Sequence, residues 1–106
     1  MSKTYYELLG WVANEDIPET VPQKKLKEIY SKVIHKIKTQ STNEIEKSEN
    51  LFALSLIWKV LGDPEKRKEY DLKLKGIREF GGSPADIIID GKKVPVFSKV
   101  IKEENS

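Results

Sequence analysis

Apolar residues recur along the chain at helical spacing in its first two thirds and at strand spacing near its end. Thr4-Tyr-Tyr-Glu-Leu-Leu-Gly10 sets Tyr5, Leu8 and Leu9 at i, i+3 and i+4. That predicts a short helix with one core-facing side, capped by Ser2 or Thr4 and stopped at Gly10. Trp11 to Val21 has no period and reads as a loop. Leu26, Ile29, Tyr30, Val33 and Ile37 then define an amphipathic second helix. Ahead of it, Thr20-Val-Pro-Gln23 has the form of a capping box with Pro22 in the first turn. Ser41 with Glu44 suggests a further cap, and Glu44, Glu46 and Glu49 suit the start of a third helix, whose later turns, Leu51 to Leu61, are apolar nearly all round. Gly62-Asp63-Pro64 reads as a stop, a cap and a first helical position, opening a short fourth helix with Tyr70 and Leu74 as inward anchors.

The pattern changes after residue 75, where Gly76, Gly81, Gly82 and Pro84 accumulate. Beyond them two β-prone runs flank Asp90-Gly91, the signal of a tight hairpin, with Ile87, Ile89, Val94 and Phe97 as its apolar positions. Pro95 confines its strand to an edge. The expected division is a helical domain over 1–75, a Gly/Pro linker over 76–85, a β-hairpin extension over 86–101 and a frayed tail over 102–106.

Composition narrows the chemistry. A chain of 106 residues supports one domain with one modest core. It has no cysteine and one histidine, His35. Disulfides, thiolate zinc sites and cysteine nucleophiles are thereby excluded, and no catalytic, metal or cofactor site is expected. The longest apolar run, Leu51 to Trp58, is broken by Ser55 and falls far short of the roughly 18 residues that a membrane span needs. The N-terminal residues form no apolar signal segment, so an intracellular, soluble protein of cytoplasm or nucleus is the expectation. Lys+Arg number 19 against 17 Asp+Glu, a net charge of only +2. The second helix departs from that balance, setting Lys24, Lys25, Lys27, Lys32, Lys36 and Lys38 against Glu28 alone.

Taken together, these motifs resemble the J-domain of DnaJ-type co-chaperones. The resemblance rests on Tyr5-Tyr-Glu-Leu-Leu-Gly10, on Leu26-x-x-Ile29-Tyr30 in a basic second helix, and on Trp58-Lys-Val-Leu-Gly-Asp-Pro-Glu-Lys-Arg-Lys-Glu-Tyr-Asp71. It covers about residues 4–74 and implies a mainly α, four-helix fold with antiparallel helices two and three and short helices one and four, here extended by the hairpin. The loop after helix one is longer than the family's, which costs little because closure entropy grows slowly with loop length. The family also carries His-Pro-Asp just after helix two, and with Tyr30 aligned on the family's tyrosine those positions fall on Lys38, Thr39 and Gln40. Lys, Thr and Gln supply neither the carboxylate nor the fixed φ of that tripeptide. His35, followed by Lys36 and Ile37, does not replace it.

The resemblance therefore implies a non-enzymatic interaction module, adaptor or regulator, which would dock through Lys25, Lys32 and Lys36 on a DnaK-type chaperone or pair with another J-protein. An atypical active co-chaperone and a nucleic-acid-binding module using helix two are the alternatives. The second is disfavoured because no aromatic residues interleave with the lysines. Phe52 and Leu56, four apart on helix three, stand where the family has exposed charged residues. Either the hairpin covers them or they form a contact patch, with a homodimer through helix three or the hairpin as a further alternative.

Overall fold

Residues 4–40 and 42–93 are described in a computed structural model. They form α1 (Tyr5–Ala13), α2 (Gln23–Gln40), α3 (Glu44–Leu61) and α4 (Pro64–Phe80), then a 3-10 turn (Pro84–Asp86) and the two-residue strands β1 (Ile88–Ile89) and β2 (Lys92–Lys93). Three of the four helices start on a side chain that takes up N–H groups the helix leaves unpaired. The Thr4 hydroxyl accepts from the Glu7 N–H at 3.1 Å while the Glu7 carboxylate accepts from the Thr4 N–H at 2.8 Å, a complete capping box. Asp63 caps α4 through the N–H groups of Glu65 and Lys66, with Pro64 in the first position as the sequence indicates.

Several boundaries differ from the sequence reading. Gly10 does not end α1. The helix runs on to Ala13 and closes at Asn14, which adopts the left-handed conformation with φ 62°. Gly10 is instead needed for close approach, since a Cβ there would lie 2.6 Å from the Glu15 carbonyl oxygen. Thr20 is not the cap of α2, because the first helical carbonyl is that of Pro22, which accepts from the Leu26 N–H at 2.9 Å. The cap of α3 is Asn43, accepting from the Glu46 N–H at 3.0 Å, while Ser41 lies outside the described residues. Nor is α4 short. It crosses Gly76 and reaches Phe80 because Leu74 is buried and Ile77 still packs on the core, and it ends at Gly81 with φ 96°.

Side-chain contacts set the packing of α2 against α3. The Gln23 amide, at the start of α2, donates to the Leu61 carbonyl at the end of α3 at 2.7 Å. Further along, the rings of Tyr30 and Trp58 stack with centroids 4.4 Å apart. Contacts that climb one helix as they descend the other require an antiparallel pair. Leu26, Ile29, Val33 and Ile37 meet Leu54, Ile57 and Leu61 in a core that α1 closes with Tyr5, Leu8 and Leu9, and α4 with Tyr70 and Leu74.

The hairpin turn lies at Asp90 and Gly91, whose φ values of 56° and 76° give the primed turn that two-residue hairpins need. The pairs are Ile88 with Lys93 and Ile89 with Lys92. Burial alternates along the strand: Ile87 and Ile89 belong to the main core, whereas Ile88 is exposed. β1 packs beside α4, and Asp90 pairs with Lys66 at 3.3 Å. The described part of the hairpin therefore does not cover Phe52, which remains 65% exposed. Val94 and Phe97 lie outside the described residues.

Candidate functional site

Arg67 holds the start of α2 in place. Its side chain is buried, and its guanidinium donates to the Tyr6 hydroxyl at 2.9 Å, the Gln23 side-chain oxygen at 2.9 Å, and the Glu19 and Val21 carbonyls at 3.0 and 2.6 Å. One planar fork thus ties α4 to α1, to the loop before α2 and to α2 itself, an arrangement a lysine could not reproduce. Tyr6 passes the network on by donating to Asp71 at 2.6 Å. Burial raises the Asp71 pKa, while the Tyr6 hydrogen bond and the Arg67 charge work against that rise. Beside it the Tyr70 hydroxyl accepts from the Tyr5 N–H at 2.9 Å, and the two rings stack. Burial pushes the hydroxyls of Tyr5, Tyr6 and Tyr70 well above the usual phenol range.

On this frame the lysines of α2 occupy different situations. Lys25, Lys32 and Lys36 are seven and four residues apart and share a face. Lys25 is exposed and has no ion pair among the described residues, as is true of Lys24, Lys27 and Lys38. Lys32 lies 3.7 Å from the Glu15 carboxylate. Lys36 is half-buried and donates to the Val12 carbonyl at 2.8 Å, placing its charge at the C-terminal end of α1, where the helix dipole favours a cation. The end of α1 and the loop after it thus engage the middle of the basic face and leave its N-terminal turns and its last turn open.

Lys38, Thr39 and Gln40 form the last turn of α2. Thr39 is hydrogen-bonded back into the helix, its hydroxyl donating to the His35 carbonyl at 2.9 Å, and all three side chains are exposed. On α3, Phe52 and Ile45 are exposed and Leu56 is half-buried along one stripe. The arrangement contains no group of three or more His, Asp or Glu placed to hold a metal among the described residues. No helix among them is long and apolar enough to cross a membrane.

Sequence reasoning missed Arg67 as the central clamp and missed the engagement of Lys36 and Lys32 by α1 and its loop. A signal for the clamp was present, since Arg67 lies between Asp63 and Tyr70-Asp71 on an inward-facing register of α4. Nothing in the sequence marks Val12 as the partner of Lys36.

The described residues form a small helical domain with an antiparallel central pair and a basic face on α2. No family model matches the chain. Among curated proteins it is 29% identical over 101 residues to "Chaperone protein DnaJ 2" of Aquifex aeolicus (strain VF5), a match that takes in 95% of this chain. The chain spans about a quarter of that relative's length, the match covering 25% of it. No solved structure matches. The four helices stand in the order that the resemblance to a J-domain implies, and the chain is similar to that DnaJ protein over nearly its whole length.

Proposed function

We propose that this chain is a non-enzymatic J-domain-like module that docks on a DnaK-type chaperone, or on another J-protein, without stimulating ATP hydrolysis in the manner of the family's tripeptide. The observation that carries this reading is the composition of α2. Lys24, Lys25, Lys27 and Lys38 present ammonium groups that are in no ion pair among the described residues, while the sequence contains no His-Pro-Asp string. A surface of one sign steers association with an acidic partner and fixes its orientation, even where it adds little net affinity. The positions aligned with the tripeptide are Lys38, Thr39 and Gln40, an exposed helical turn without a carboxylate, so binding and stimulation are separated in this protein.

Single-turnover ATP hydrolysis by the host's DnaK-type chaperones tests this, run with this protein alone, with a competent J-protein, and with both. Inhibition of the competent J-protein, relieved by Lys25→Glu with Lys27→Glu, is the expected result. A second reading, an atypical active co-chaperone, draws on the similarity to DnaJ 2, and stimulation by this protein alone would establish it. Nucleic-acid binding gains no support from the surface. The Tyr30 ring on α2 is stacked on Trp58 and offers no free platform for a base.

A further inference from the structure

Away from the basic face of α2, Lys68, Leu72 and Lys75 lie at i, i+4 and i+7 and form one stripe on the outer side of α4. The stripe borders a shallow cleft, largely open to solvent, that also has Gln23 and Pro64 in its wall. Leu72 is 61% exposed, and Lys68 and Lys75 on either side of it are exposed as well. Neither lysine is in an ion pair among the described residues, although Glu65 and Glu79 lie one turn beyond them at the two ends. The inner wall consists of Arg67 and Asp71, and both are already committed. Asp71 accepts from Tyr6 and lies 3.8 Å from the Arg67 guanidinium, which is itself spent on Tyr6, Gln23 and the two loop carbonyls. A carboxylate entering this cleft would meet two uncompensated ammonium groups and no free carboxylate.

We propose that the cleft between α4 and the start of α2 binds an acidic peptide segment of a partner protein. An apolar side chain of the peptide rests on Leu72, and carboxylates on either side of it are met by Lys68 and Lys75. Seven residues of helix separate the two lysines by about 10 Å along the axis, which an extended peptide spans in about three residues. The fitting ligand therefore carries acidic residues three or four apart with a leucine-like residue between them. The exposed stripe of Ile45 and Phe52 on α3 has the exposed carboxylates of Glu46 and Glu49 beside it in place of a pair of lysines, so it does not suit the same ligand. This site is independent of the docking proposed for α2, and either can fail without the other.

The test is fluorescence anisotropy of a labelled Glu-Glu-Leu-Glu-Glu peptide titrated with the full chain at about 0.15 M salt, where long-range attraction is screened. Binding is expected to weaken about tenfold or more on Lys68→Glu with Lys75→Glu, and several-fold on Leu72→Ser or on replacing the peptide's leucine with serine. Lys25→Glu with Lys27→Glu should leave it within about twofold. Because the peptide's own leucine can be exchanged, one arm does not depend on any variant folding. The proposal is overturned if the peptide does not bind, if the α2 variants weaken it as much as the α4 variants, or if the leucine on either side is immaterial. It is also overturned if sedimentation shows a dimer that Leu72→Ser dissociates, since the cleft would then belong to a second copy.

Discussion

The two ends of the α2/α3 pair are built differently. At one end, where α2 starts and α3 finishes, Gln23 bonds to the last carbonyl of α3, and Arg67 reaches four partners from a buried position. Gly62 there lies directly against the Trp58 ring. At the other end, α2 finishes in Lys38, Thr39 and Gln40 with their side chains in solvent, and α3 begins on the single cap of Asn43 beside an exposed Ile45. The first end is cross-linked by buried polar contacts that would be costly to leave unmade. The second is free to change its surface without disturbing the core. The candidate tripeptide positions fall at the permissive end, where residues can be exchanged at little cost to stability.

The sharpest way to break this contrast is at Arg67. Arg67→Met should cost about 3 kcal/mol or more, because it strands the Glu19 and Val21 carbonyls and removes the cation beside Asp71, and Arg67→Lys should recover only part of that. Urea denaturation monitored by circular dichroism measures both. Of similar size is the response to alkali. Tyr5, Tyr6 and Tyr70 keep their protons in the fold, whereas in the unfolded chain they ionise near pH 10. The native state then binds more protons than the unfolded state, so their stabilising contribution is intact below about pH 10 and is lost above it, by up to about 1.4 kcal/mol per pH unit for each tyrosine. Urea midpoints across that range, read together with tyrosinate absorbance, check the slope.

Gly62→Ala should cost about 1–3 kcal/mol, since the new methyl group would lie 2.6 Å from the Trp58 indole, and loss of the native Trp58 fluorescence environment should accompany it. At the permissive end, Asn43→Ala should cost only about 1 kcal/mol, the worth of one cap. Alanine at Lys38, Thr39 or Gln40 should change the denaturation midpoint by no more than about 0.5 kcal/mol equivalent. A larger loss at any of these three would show that the two ends are not as different as the contacts indicate.

Much of the helical plan was legible because periodicity and capping are local. Leu26 to Ile37 predicts its buried face correctly, and Gly62-Asp63-Pro64 marks a boundary that needs no tertiary information. The errors came where a residue type serves two purposes. Gly10 resembles a helix stop but is there to let the Glu15 carbonyl pass, and Gly76 resembles a linker but is carried inside α4 by the packing of Leu74 and Ile77 on either side. For the candidate site, the excess of lysine on α2 was plain in the sequence. The different fates of Lys25 and Lys36 were not, because the carbonyl that engages Lys36 lies 24 residues away.

By itself, the sequence determined the helical class of the chain, the order of its elements, the tight Asp90-Gly91 turn and the absence of thiol chemistry, since each follows from residue type and near-neighbour spacing. The tertiary structure decided which charges are spent. It committed Arg67, Asp71 and Lys36 to the frame and left Lys25, Lys68 and Lys75 facing solvent. A charge is consumed or left free according to what the fold brings within about 3–4 Å of it, and those neighbours are distant in the chain.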